Sequence, residues 1–260
     1  MVSSHNGLLT SKIIGLIFFL SLIFFDVGDS YSSIIFIMIM LSIGIPHGSV
    51  DHIIAFLNPE SRRFSSKLHF FIVYITLIII NVMIWIFSPF IGLTIFLLIS
   101  CYHFGETQVI GYNSTENKFL NFVVGANILL SLFLNNIFEL QEILVEFKLF
   151  STLDLSSFEK IFFLLVSVSI LMMTIVHFDI KKKVPLYAEL TILYLIFYHT
   201  DILTSFSIFF GFSHSLPMLL MEFEEMKEKS FLIFYLKTLP FTLLAIAFGL
   251  VLYYFNNSIF

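Results

Sequence analysis

The residues that could do chemistry in this chain fall into three short stretches, each set in apolar sequence. The first, Pro46-His47-Gly48-Ser49-Val50-Asp51-His52, puts two imidazoles and a carboxylate between the runs 31–45 and 53–57. The second is Cys101-Tyr102-His103-Phe104-Gly105-Glu106, and the third is Gly211-Phe212-Ser213-His214-Ser215. Ionisable groups inside lipid are costly and normally face a protein interior, which makes such clusters functional candidates by default. His47, His103 and His214 are therefore read as closing on one metal. Imidazoles without thiolates suit Fe, Zn, Cu or Ni. The single cysteine, Cys101, excludes a disulfide framework and a thiolate cluster. No nucleophile–base motif, phosphate loop or nicotinamide fingerprint is visible.

Each polar residue also has a structural reading. His47 alone would equally suit an imidazole bonded to a neighbouring carbonyl at a Pro–Gly kink, where backbone groups are freed. Asp51, at i+4, either holds the second ring nitrogen of His47 or caps the helix that restarts after Gly48. His52 points about 140° away from His47 round a helix and is expected to line the site rather than bind the same ion. Glu106 sits beside His103, and Gly105 lets a second backbone approach. Met218 lies one turn beyond His214, and Glu189 and Glu222 are intramembrane acids that could approach the site. The hydroxyls of Ser213 and Ser215 suit hydrogen bonding between helices. His5, His69, His177, His199 and Asp201 fall in tails, helix ends and turns, away from the proposed depth.

The elements that must position these groups are membrane helices. Hydrophobic residues make up 58% of the 260 residues and charged ones only 12%, with mean hydropathy +1.00. A soluble domain carries about 25% charged residues, so the composition specifies an all-α polytopic membrane protein. The net charge of −5 argues against nucleic acid, and the 35 Phe residues suit a bulky apolar ligand. At roughly 20 apolar residues per span, nine spans are expected, at 11–25, 31–57, 68–87, 90–112, 119–135, 159–178, 185–199, 202–221 and 231–254. They form one transmembrane domain over residues 1–260, and the first is a retained helix rather than a signal peptide.

Loop charge orients the bundle. With the N-terminus inside, cytoplasmic segments carry Lys12, Arg62, Arg63, Lys67, Lys118, Lys181, Lys182, Lys183, Lys227 and Lys229. The opposite side carries Lys148 and Lys160 among the acids Asp26, Asp29, Glu139, Glu142, Glu146 and Asp154. That bias follows the positive-inside rule, predicting a cytoplasmic N-terminus in a multi-pass protein of the inner cell membrane. His47, His103 and His214 then lie on three helices of the same direction, each about 10–15 Å below the inner surface.

These stretches resemble the Brp/Blh family of bacterial and archaeal membrane β-carotene 15,15′-dioxygenases. The resemblance rests on the His47–His52 region for the first motif, on His103-Phe104-Gly105 for the second, and on His214-Ser215 for the start of the third. It implies an iron(II) enzyme with His47, His103 and His214 as ligands, splitting β-carotene with dioxygen into retinal. A rhodopsin is the implied acceptor of that retinal. The family's third motif carries a further histidine where this chain has Met218, preceded by Pro217 in place of the usual basic residue. Gln108 follows the second motif where an acid is usual. A thioether is a soft ligand better suited to Cu(I).

The expected function is oxidative cleavage of a carotenoid in a Phe-rich slot within membrane lipid. Fe(2+) would be held by three histidines, with Asp51 and Glu106 tuning them. A non-catalytic carotenoid- or retinal-binding homologue is the rival that Met218 favours. A small-solute transporter is disfavoured by the absence of inverted repeats.

Overall fold

The computed structural model describes residues 2–25, 31–57, 66–110, 117–146, 158–175 and 180–259. Among them the protein is helical, with no strand. Helix α1 is Val2–Phe24. Helix α2, Ser32–Ile39, passes into a π-helical turn at Met40–Gly44, a 3₁₀ turn at Pro46–Gly48 and a short helix α3 at Asp51–Ile54. Then follow α4 (Lys67–Phe87), α5 (Pro89–Ile110), α6 (Lys118–Asn135), α7 (Ile137–Glu146), α8 (Glu159–Ile175) and α9 (Ile180–His199). Helix α10 (Ile202–Ile208) continues through a π-helical segment, Phe209–Ser215, into α11 (Leu216–Glu225), and α12 is Phe231–Ile259.

Local chemistry sets the breaks. Ser88 leaves the helical backbone conformation and Pro89 opens α5, so the expected spans at 68–87 and 90–112 are two helices rather than one bent one. Helix starts are capped by side-chain oxygens. Ser66 accepts from His69 N at 3.1 Å, Asn117 from Leu120 N at 3.0 Å, and Asp201 from Leu203 N and Thr204 N at 3.0 and 3.1 Å. Pro46 and Pro217 each stand just after a π-helical segment, where the backbone hydrogen-bond register changes.

Among the described residues, six helical segments are long and apolar enough to cross a membrane: Ser32–Ile54, Lys67–Phe87, Pro89–Ile110, Lys118–Asn135, Ile202–Glu225 and Phe231–Val251. The other three expected spans are helical but differ. The apolar part of α1, Leu9–Phe24, is shorter, α8 reaches the edge of the described residues at Ile175, and α9 carries lysines, Glu189 and Pro185. The amphipathic helix α7 was not anticipated. Its Glu139 Oε2 accepts from Ile202 N at 2.5 Å, joining it to the start of α10.

Lys12 is not a loop residue. It lies within α1, where its Nζ is 2.7 Å from Glu189 Oε2 on α9. Of the other charges used to orient the bundle, Arg62, Arg63, Asp26, Asp29, Lys148 and Asp154 lie outside the described residues, as does His177. So do the side chains of His5, Glu146, Lys181 and Lys182.

The segment Ile202–Glu225 is the most buried and α6 the next, whereas α4 and α12 face outward almost entirely. Large apolar side chains such as Ile75, Leu77, Phe87, Leu243 and Leu244 are exposed there. In a bilayer these surfaces meet acyl chains. The tightest contact is between α5 and α6. A Cβ built on Gly105 would lie 1.6 Å from Asn121 O, and one on Gly125 would lie 1.8 Å from Cys101 O. Only glycine at both positions permits backbone to meet backbone, an arrangement common between membrane helices. Beside it, Asn127 Nδ2 donates to Ser169 Oγ at 2.6 Å and Tyr194 OH donates to Asn127 Oδ1, tying α6 to α8 and α9.

Candidate metal centre

His47 occupies the 3₁₀ turn immediately after the π-turn of helix two. Its Nδ1–H donates to the Gly44 carbonyl, which fixes the ring and leaves Nε2 as the nitrogen with a free lone pair. The partner of Nδ1 is therefore this carbonyl and not Asp51. His214 sits in the π-helical segment Phe209–Ser215 and is 1% exposed. Neither of its ring nitrogens has a hydrogen-bond partner. His103 projects from the middle of α5, on an exposed face.

These three imidazoles converge. One potential ligand atom from each of His47, His103 and His214 lies within 4.8 Å of the other two. The His214 ring centroid is 5.2 Å from that of His47 and 4.7 Å from that of His103. An ion bonded to imidazole nitrogens at about 2 Å holds them about 3–4 Å apart, so the arrangement is close to what one ion requires. The donor chemistry fits too. A buried imidazole with both nitrogens unpaired is costly unless something else binds it. The three residues therefore fit a metal.

The wall of the site is aromatic. Phe210 stacks on His214 at 5.4 Å, and Phe104 meets it edge-on at 4.9 Å. Phe206 stacks on Phe210 at 5.1 Å and Phe209 packs on Phe104 at 5.3 Å. One side is thus closed by phenyl rings, while the exposed His103 leaves another side open.

The remaining expected residues fall at varying distances from this cluster. Glu106, one turn beyond His103, interacts electrostatically with it, and Tyr102 OH donates to Glu106 at 3.4 Å. Asp51 is the first residue of α3, exposed, and interacts with Tyr74 and Glu222. The cap position of that helix belongs to Val50. His52 stands apart, its ring tilted against Phe241 with centroids 4.3 Å apart, and lines a cavity of about 470 Å³ with Phe56 and Lys67. Met218 is half-buried on α11. Glu222 is 7% exposed with Oε2 unpaired, and Gln108 is 1% exposed with Nε2 unpaired. Glu189 pairs with Lys12, and Asp201 caps α10 while accepting from Ser32 Oγ at 2.7 Å.

Several positioning residues carried no signal in the sequence. Gly44 supplies both the carbonyl for His47 and close packing, since a Cβ there would lie 3.0 Å from the Phe210 ring. Ser49, inside the first motif, bonds Thr242 of α12 at 2.9 Å. Gly125 on α6 faces the second motif. An isolated glycine in a helical run was the available hint at Gly125.

The fold and site define a helical membrane protein with a cluster of three histidines, lined by phenyl rings, whose donors fit a metal. The family model described as beta-carotene 15,15'-dioxygenase matches residues 38–259, and the chain belongs to that family. No curated protein and no solved structure matches it. Membership points to dioxygenase chemistry on a carotenoid.

Proposed function

We propose that this protein cleaves β-carotene or a related carotenoid with dioxygen to give retinal. The single observation that carries the reading is the meeting of His47, His103 and His214 from three helices, with both nitrogens of the buried His214 unpaired. Iron(II) held by these three imidazoles would supply the activation of dioxygen. Overall, one carbon–carbon double bond is broken and each of its carbons takes one oxygen atom, so no further reductant is needed.

The chain's own residues provide the rest. Gly44 holds the His47 ring so that Nε2 is available. Phe104, Phe206 and Phe210 form an apolar wall that suits a polyene and excludes water. The exposed side at His103 suits entry of a lipid-dissolved substrate sideways from the bilayer. Glu106, one turn beyond His103 on the same helix, is placed to orient that imidazole. The protein is then a multi-pass protein of the inner cell membrane with a cytoplasmic N-terminus, and a rhodopsin is a fitting acceptor for the retinal.

A second reading, a non-catalytic carotenoid-binding member, is favoured by Met218 standing where the family has a fourth histidine. The two separate in bacteria engineered to accumulate β-carotene. Retinal formed by the intact chain and absent with His47→Ala supports the enzyme. Unchanged β-carotene in the presence of well-inserted protein would favour the binding homologue.

A further inference from the structure

Helix α1 precedes the residues that match the family model, yet it packs on the segment that carries His214. A Cβ built on Gly15 would lie 2.6 Å from the Phe212 Cβ, so only glycine permits the approach. One turn on, the Phe18 ring meets Phe212 at 5.4 Å. Phe212 stands two residues before His214 in the π-helical segment. The same segment is gripped by α2, where a Cβ on Gly211 would lie 2.4 Å from Ile39 Cγ2.

That grip has a physical purpose. A π-turn is rare and disfavoured relative to the α-helix into which it is inserted. Relaxation to α-helical register would turn His214 by about 100° away from its partners. The segment must therefore be held from outside, and α1 forms one jaw.

Helix α1 packs on the π-helical segment and on α11, and the pair Lys12–Glu189 ties it in addition to α9. The two side chains are 15% and 12% exposed, with Nζ 2.7 Å from Oε2. Lys12 is three residues before Gly15, on the same face of the helix. A buried ion pair adds little net stability because desolvation offsets the attraction, and its best-attested use is to fix a register. We propose that Lys12–Glu189 is a positioning pair for the metal centre. It sets α1 against α9 so that Gly15 seats on Phe212 and His214 faces His47 and His103. This inference rests on reading those imidazoles as a metal site.

The test uses detergent-purified full-length protein, intact and as Lys12→Met, Glu189→Gln, the charge swap Lys12→Glu/Glu189→Lys, and Gly15→Ala. Two readouts are taken on folded material. One is acylation of His214 by diethylpyrocarbonate, scored by mass spectrometry against the exposed His103 without metal. The other is cobalt(II) titration followed by its visible spectrum. His214 is expected to be protected in the intact protein and to react several-fold faster in either single variant. Cobalt affinity is expected to fall about 10–100-fold, as for outer-shell partners of metal ligands. The charge swap restores both. Gly15→Ala, which leaves the pair intact, reproduces the loss even where a charge variant fails to fold. Unchanged His214 protection together with an unchanged cobalt spectrum in the folded variants would overturn the proposal. Failure of the intact protein to bind cobalt would refute the metal reading alone, because His214 protection still decides the positioning role.

Discussion

Replacing Gly105 by alanine adds one methyl group where α5 and α6 touch, and its effect can be worked from distances. The new Cβ would lie 1.6 Å from Asn121 O, 2.6 Å from Asn121 C and 2.7 Å from Gly125 N. A carbon normally approaches a carbonyl oxygen no closer than about 3.3 Å, so the helices must separate by about 1.5–2 Å. The obstructing atoms are backbone and cannot rotate aside. Overpacking costs about 1–3 kcal/mol in general, and this site belongs at the upper end. The better helix propensity of alanine returns about 1 kcal/mol, leaving a net loss of about 2 kcal/mol or more. His103 stands two residues away on the same rigid helix and moves with it. Metal sites tolerate only about 0.2 Å of ligand displacement, so metal affinity should drop about 100-fold or more. Thermal unfolding and metal titration of the purified protein measure the two losses together. Gly249→Ala is the control, because a Cβ there meets nothing within 4 Å. Gly105→Ala protein that melts and binds metal as the intact protein does would refute the reasoning.

Three further outcomes are expected. Asp201→Ala removes the cap of α10 and the acceptor of Ser32, costing about 1–2 kcal/mol in thermal or denaturant unfolding while leaving metal affinity unchanged. Asn127→Leu removes an acceptor of Tyr194 OH and the donor to Ser169, and should cost about 1–3 kcal/mol. Adding Tyr194→Phe to it should cost little more, which a double-mutant cycle would read. Met218→Leu keeps the volume and removes the sulfur, so metal titration should show no change. A clear loss of affinity would instead make the thioether a ligand.

That His47, His103 and His214 come together was legible because polar residues in apolar helices are conspicuous. Gly105 was legible for a similar reason, since it stands beside His103 in a span. The partner of His47 was not. Spacing left Asp51 at i+4 and a neighbouring carbonyl both open, and the π-turn ahead of Pro46 brings the Gly44 carbonyl to the ring. Lys12 looked like a loop charge because the apolar run follows it, whereas helix α1 begins earlier and buries it against Glu189. Gly15 against Phe212 and Gly125 against Cys101 are contacts between distant segments, and local pattern contains no trace of a partner.

Both π-helical segments adjoin a histidine of the centre, Met40–Gly44 before His47 and Phe209–Ser215 around His214. The segment before His47 gives way to a 3₁₀ turn, whereas the one around His214 amounts to a residue inserted into the continuous helix from α10 to α11. Deleting one residue there would restore an α-helix and rotate everything beyond it by about 100°. The histidines would keep their identity and lose one another. Grafting the three imidazoles onto straight helices would fail for the same reason, so a transplanted centre must carry its irregular backbone with it.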